Sequence, residues 1–251
     1  MAYVLLTGAT GNLGSVILEQ LLPAGHKVNA VIRSFAKAKS SLTKQYQSAV
    51  DSGQLIFTEI PDMAAPDVFH EPARGASAIF HAATPLEYDD FLETVIKPIS
   101  LITKNVLNAA AAAPNVKRLI VTGSIVSTIK VPNDLYGGKT ISENDWSPVT
   151  LEEAESNVYD AYTYSKVTSE KEAWEFMRNN KPKFDLIYLL APSITGKSIQ
   201  IGAKLSKRHL GGTAGFYSEL VDTKEPGHLF PYFMYVTPAS TCEMANASQG
   251  R

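Results

Sequence analysis

Two periodicities run through the chain. Largely apolar runs occupy residues 4–7, 27–32, 55–60, 78–84, 117–122 and 184–190, the pattern of strands covered on both faces. Between them, apolar positions recur at helical spacing. Val16, Ile17, Leu18, Leu21 and Leu22 follow the first run, and Phe35, Ala38, Leu42 and Tyr46 mark a helix over 35–50. A long helix is predicted over 91–113, with Pro98 bending it and Ala109 to Ala113 allowing close packing. A second long helix is predicted over 158–179. Strand and helix alternate throughout 1–194. That alternation predicts an α/β fold, a doubly wound parallel sheet with right-handed crossovers.

The first strand runs into Gly8, Ala9, Thr10, Gly11, Asn12, Leu13 and Gly14, a G-x-x-G-x-x-G turn that opens a helix. A pyrophosphate can sit on the first N–H groups of a helix, where the backbone dipole favours negative charge. The chain must then come close to the phosphate, and a side chain at the turn would block it. Glycines alone are a weak signal, but strand before and helix after point to a Rossmann-type dinucleotide site.

Further candidates lie at the strand ends, where ligands bind in open α/β sheets. Arg33 ends the second strand, 19 residues past Gly14, with Lys37 close behind. An acid here would suit the ribose hydroxyls of NAD, whereas an arginine suits the 2′-phosphate of NADP. Asp62 and Met63 follow the third strand, where an adenine edge would lie; taken alone, Asp62 reads as a turn residue or helix cap. Ala82 and Ala83 are small enough to let backbone approach a flat ligand, with Thr84 next to them. His81, alone in an apolar strand, reads as packed and hydrogen-bonded. The fifth strand ends in Thr122-Gly123-Ser124, and a serine in such a turn needs a partner before it suggests chemistry.

The second long helix supplies one. Tyr162 and Lys166 stand four residues apart, on one helix face. An ammonium beside a phenol is expected to lower the phenol's pKa, making it a usable proton donor and acceptor near neutral pH. Tyr159 and Tyr164 have no lysine at this spacing.

Composition adds limits. The 251 residues are 45% hydrophobic and 19% charged, an ordinary globular balance. A net charge of -2 gives no electrostatic case for nucleic acid or an anionic membrane surface. No apolar run approaches the roughly 20 residues a membrane helix needs. The chain enters its first strand at once, leaving no signal peptide in this reading. The one cysteine, Cys242, excludes an internal disulfide and a cysteine-based metal cluster. A cytoplasmic setting fits. Oligomeric state is open.

With these pieces in place the chain resembles the extended short-chain dehydrogenase/reductases, and among them the fungal NADPH-dependent aldehyde and methylglyoxal reductases, which are similar to plant dihydroflavonol reductases. The likeness covers about residues 2–200. It rests on TGATGNLG at 7–14, Arg33 with Lys37, Asp62-Met63, HAATP at 81–85, VTGS at 121–124, YTYSK at 162–166 and KEAWEFM at 171–177. It implies a catalytic triad of Ser124, Tyr162 and Lys166. It also implies an NADP(H) site built from the 8–14 turn, Arg33, Lys37, Asp62, Met63, Ala82, Ala83, Thr84, Thr122, Tyr162 and Lys166. Pro192, Ser193 and Ile194 would pass beside the nicotinamide.

The implied activity is reduction of a small-molecule aldehyde or ketone. An epimerase or dehydratase acting on a sugar nucleotide, and an NADP-binding regulator or inactive remnant, are the alternatives. The chain departs from the family pattern in places. Leu101 stands at a family asparagine, Ala191 where an asparagine often precedes the proline, and Lys197 at a usual proline. Residues 1–197 are expected to form the cofactor domain and 198–251 an incomplete substrate lobe, as in a truncated or mis-spliced chain. Residues 232–236 could begin a further strand.

Overall fold

The computed structural model describes residues 1–85, 90–130, 134, 140–194, 199 and 235–236; of 37–40, 193 and 235–236 it describes the backbone alone. Six strands form the main sheet: β1 (Tyr3–Thr7), β2 (Lys27–Ile32), β3 (Leu55–Glu59), β4 (Ala78–His81), β5 (Arg118–Ser124) and β6 (Asp185–Ala191). Their order across the sheet is β3-β2-β1-β4-β5-β6, and every pairing is parallel. The order reverses between β1 and β4, and a crevice opens there at the strands' carboxyl ends.

The apolar runs are continuous because both sheet faces are covered. Successive strand residues point to opposite faces. Leu5, Val31, Ile79, Leu119 and Val121 therefore pack on one side, against Ile102, Val106 and Leu107 of helix α5 (Lys97–Ala112) and Ala173 of a later helix. Val4, Leu6, Val28, Ala30, Phe80 and Ile120 pack on the other, against Leu13, Ile17 and Leu18 of α1 (Asn12–Leu21).

Several expectations are refined. The helix over 35–50 divides at Tyr46 into α2 (Phe35–Gln45) and α3 (Gln47–Asp51). The Tyr46 phenol donates to Glu19 Oε2 on α1 at 2.7 Å. A one-turn helix α4 (His70–Ala73), unforeseen, precedes β4. The helix over 91–113 is two helices of different pitch rather than one bent by Pro98. A π-helical segment, Phe91–Ile96, runs directly into α5. Pro98 stands one residue into α5, where its missing N–H gives no bond back to the π-helical turn and the pitch changes. The strand foreseen over 78–84 ends at His81; Ala82 N still donates to Thr7 O at 3.4 Å, and 83–85 continues as irregular chain.

Two helices close the α5 side. Helix α6 (Leu151–Ser156) begins at a capping box: Thr150 Oγ1 accepts from Glu153 N at 3.2 Å, and the Glu153 carboxylate accepts from Thr150 N at 2.9 Å. Helix α7 (Val158–Asn180) starts at Asn157, whose side chain accepts from the N–H groups of Tyr159 and Asp160. Beyond β6, β7 (Ser193–Ile194) pairs in parallel with β8 (Tyr235–Val236), so part of the 232–236 run is a strand. Apart from Ile199, the rest of the stretch 195–251 lies outside the described residues, and with it the expected substrate lobe and Lys197. No described helix is long and apolar enough to cross a membrane.

Candidate active site

The site is built first by the turn after β1. Gly8 holds φ at 75°, a conformation that side chains resist, and Gly11 N donates to Gly8 O at 2.8 Å. The turn is closely packed. A Cβ on Gly8 would lie 2.8 Å from backbone atoms of Ala82 and Ala83, and one on Gly14 would lie 2.0 Å from Gly8 O. Helix α1 follows with Gly11 as its N-cap, no side-chain cap and no acid in its first turn. Its positive end therefore faces the crevice uncompensated by any carboxylate of that turn. Ala9 and Leu13 are buried, whereas Thr10 and Gly11 are exposed.

The outer edge lies past β2 and β3. Arg33 follows β2 directly and is exposed. Lys37 lies in α2, its side chain outside the described residues. Glu59, at the end of β3, was not anticipated: its Oε1 accepts from Phe35 N at 2.9 Å and so occupies the start of α2. Asp62 Oδ1 accepts from Ala64 N at 2.8 Å, the turn role read for it alone. Met63 O accepts from Asn105 Nδ2 on α5 at 3.1 Å.

The centre lies where β4, β5 and α7 meet. His81 is buried, its Nδ1 2.7 Å from Thr7 Oγ1, and Ala83 N donates to that same hydroxyl at 3.2 Å. Burial, with the Lys166 ammonium nearby, pushes His81 down to about 3, so its ring stays neutral. Ser124 ends β5, 9% exposed, and its hydroxyl lies close enough to Tyr162 of α7 to act on the phenol. Lys166 is 6% exposed. Its Nζ donates to Thr84 Oγ1 at 3.1 Å and Thr122 O at 3.4 Å, and lies 5.5 Å from the centroid of the Tyr162 ring. The structure thus brings Thr84, Thr122, Ser124, Tyr162 and Lys166 together. Pro192, Ser193 and Ile194 follow β6, the neighbour of β5, and Arg33, Asp62 and Met63 stand at the far edge.

One expectation is corrected. Lys166 was to hold the Tyr162 phenol below its ordinary value, but the phenol is raised. Burial is the larger cause, and the nearby Ser124 hydroxyl opposes it. The ammonium is committed to Thr84 and Thr122 and is itself pushed down by burial to about 8. Leu101 is 46% exposed, so it contributes nothing to the pocket under Lys166. That pocket is lined instead by His81, Thr103, Ser169 and Tyr188 among others, none of them a site candidate on sequence grounds. The i+4 spacing that marks Tyr162 and Lys166 continues to Glu170, buried beside them and equally unforeseen.

A six-stranded parallel sheet, a glycine turn at its order reversal and a Ser/Tyr/Lys cluster at its carboxyl edge define a Rossmann-type α/β protein. Residues 4–210 match the NAD dependent epimerase/dehydratase family, and the chain belongs to it. An oxidoreductase of Schizosaccharomyces pombe is 28% identical over 99% of this chain and 76% of its own length. Aldehyde reductase 2 of Sporidiobolus salmonicolor is 34% identical over 73% of this chain and 54% of its own length. The chain therefore spans about half of that reductase. The yeast methylglyoxal/isovaleraldehyde reductase Gre2, solved in complex with NADPH, shares the fold with a TM-score of 0.85 at 23% identity, over 99% of this chain and 74% of that one.

Proposed function

We propose that the chain reduces an aldehyde or ketone to an alcohol with NADPH. The observation that carries this reading is the convergence of Ser124, Tyr162 and Lys166 at the carboxyl ends of β4 and β5. The relationship to aldehyde reductase 2 supports it.

The residues present fit the cofactor. The Gly8 to Gly14 turn, with the acid-free start of α1, suits a pyrophosphate. Arg33, exposed at the end of β2, would take the 2′-phosphate with Lys37. Asp62 and Met63 would lie beside the adenine. Ala82, Ala83, Thr84 and Thr122 would line the path to the centre, with Pro192, Ser193 and Ile194 beside the nicotinamide. NADPH, when bound, supplies the hydride. Tyr162 would deliver the proton to the developing alkoxide, and Ser124 would bind the carbonyl oxygen. Lys166 would hold the nicotinamide ribose and, as a cation beside the ring, favour the phenolate once the proton has left. Residues 1–197 form the cofactor domain in this reading, and 198–251 belong to the substrate side.

The test is a panel of small aldehydes and ketones with NADPH, followed by the loss of reduced-nicotinamide absorbance and by product analysis. Alcohol formation matched to NADPH consumption is expected. NADPH binding with no turnover of any member would count against the reading.

A further inference from the structure

The face of α7 that carries Tyr162 and Lys166 continues for two more turns. Residues four apart share a helix face, so Tyr162, Lys166, Glu170 and Trp174 form one stripe. Glu170 is only 5% exposed. A buried carboxylate is costly unless hydrogen bonds and a counter-charge compensate it. Its two oxygens are engaged separately: Oε2 accepts from Ser127 Oγ at 2.8 Å, and Oε1 accepts from Trp174 Nε1 at 3.4 Å. Ser127 is fully buried and closes the short turn Ile125–Ser127, which begins directly after Ser124. Its carbonyl also accepts from Ser147 N at 2.8 Å. The carboxylate therefore clamps the turn below one member of the cluster to the helix that carries the other two.

We propose that Glu170 is a positioning residue of this site, tying the turn after Ser124 to α7 and setting a buried carboxylate one helical turn beyond Lys166, as its counter-charge. Among the described residues, the groups around Lys166 leave Glu170 alone in the second role. Tyr162 and Glu170 face it from α7, His81 from β4, and Tyr188 lines the same pocket from β6. His81 is held neutral, and burial raises both phenols. Glu172, which acts on Tyr188 from α7, is already bound by Lys104 at 3.2 Å and by Ser100 at 2.6 Å. Burial lowers Lys166 and Glu170 opposes that fall, while Lys166 in turn favours the ionised Glu170.

The catalytic consequence rests on the reductase reading, but the charge coupling does not, so the test reads Lys166 itself. The full chain without cofactor, labelled at lysine Cε, is titrated by carbon NMR, with Lys166→Met assigning the signal. The wild-type midpoint is expected near 8. Glu170→Gln, which keeps a hydrogen-bond acceptor and removes the charge, should lower it by about one pH unit. Glu170→Asp should restore most of the shift. A midpoint unmoved by Glu170→Gln overturns the proposal. The wild type carries the same test with no substitution, because protonation of Glu170 must give the Lys166 signal a second, acid inflection; its absence overturns the proposal even where the Gln variant does not fold. With NADPH added, the alkaline limb of its affinity, measured in a Tyr162→Phe background to remove the phenol, should move with the Lys166 midpoint. A wild type that binds no NADPH yet shows the coupled titration refutes the reductase reading and sustains this one.

Discussion

Lys166 stands 5.5 Å from the centroid of the Tyr162 ring, yet its hydrogen bonds go to Thr84 and Thr122. The lysine fastens α7 to the segments that follow and end β4 and β5, and the group that acts on the phenol is the Ser124 hydroxyl. In the proposed reading, position and proton transfer are thus divided between two residues of one helix face.

That division makes the two side chains separable by mutation. Tyr162→Phe keeps the ring and removes the proton. Turnover should fall by about the 10²–10⁴-fold typical of general acid catalysis, while NADPH affinity is retained. Lys166→Ala removes the fastening as well, and should impair both. Steady-state kinetics beside calorimetry with NADPH measure the two effects, and a fully active Tyr162→Phe enzyme would end the proton-donor assignment.

Cofactor preference should lie with Arg33. A charge-assisted bond to the 2′-phosphate is worth about 1.5–3 kcal/mol, and about 1.4 kcal/mol is tenfold in affinity. Arg33→Ala should therefore weaken NADPH by roughly 10- to 100-fold and leave NADH nearly unchanged. Equal losses for both cofactors would remove Arg33 from the phosphate site.

The sheet was legible in the sequence because a strand buried on both faces is a continuous apolar run, and all six such runs fold as strands within a few residues of their expected bounds. What was not legible depends on contacts distant in sequence. Tyr46 interrupts a helical pattern at a position where its phenol reaches Glu19. The spacing of Glu170 from Lys166 is plain in the chain, but its burial is set by Ser127, 43 residues away. The phenol of Tyr162 was read from its nearest charge, whereas desolvation by the folded surroundings governs it. The Thr150/Glu153 capping box is different: it is a local signal, written in the sequence and not used.

The neutral state of His81 carries a pH dependence. Its folded pKa is depressed from 6.5 to about 3, so between those values the unfolded chain binds the extra proton. Stability contributed by this group is present above 6.5 and is lost as pH falls toward 3, at about 1.4 kcal/mol per pH unit. Nitrogen NMR at pH 5 should show the His81 ring still neutral in the folded protein. A protonated ring at that pH would mean that the Thr7 contact and the burial do not hold as described.

Three glycines separate backbone strain from steric overlap. Gly25 has φ +80, and nothing lies within 4 Å of where a Cβ would stand, so Gly25→Ala adds strain alone, about 1–2 kcal/mol. Gly14 has an ordinary φ, but its Cβ would lie 2.0 Å from Gly8 O, so Gly14→Ala adds overlap alone. Gly8 combines both, with φ +75 and a Cβ 2.8 Å from the backbone of Ala82 and Ala83. Backbone cannot swing aside as a side-chain tip can, so β1, α1 and the segment after β4 would have to part. Gly14→Ala, with the closest backbone overlap, and Gly8→Ala, with overlap and strain together, should each cost on the order of 3–5 kcal/mol. For a domain of this size each kcal/mol lowers Tm by roughly 2–4 °C. Thermal melts should show the smallest loss for Gly25→Ala and much larger losses for Gly14→Ala and Gly8→Ala. NADPH affinity should survive in Gly25→Ala and fail in the other two, because only those two disturb the turn at the start of α1. A Gly14→Ala chain that melts like wild type and binds NADPH normally would show that the turn can open without cost, and the pyrophosphate would have to be placed elsewhere.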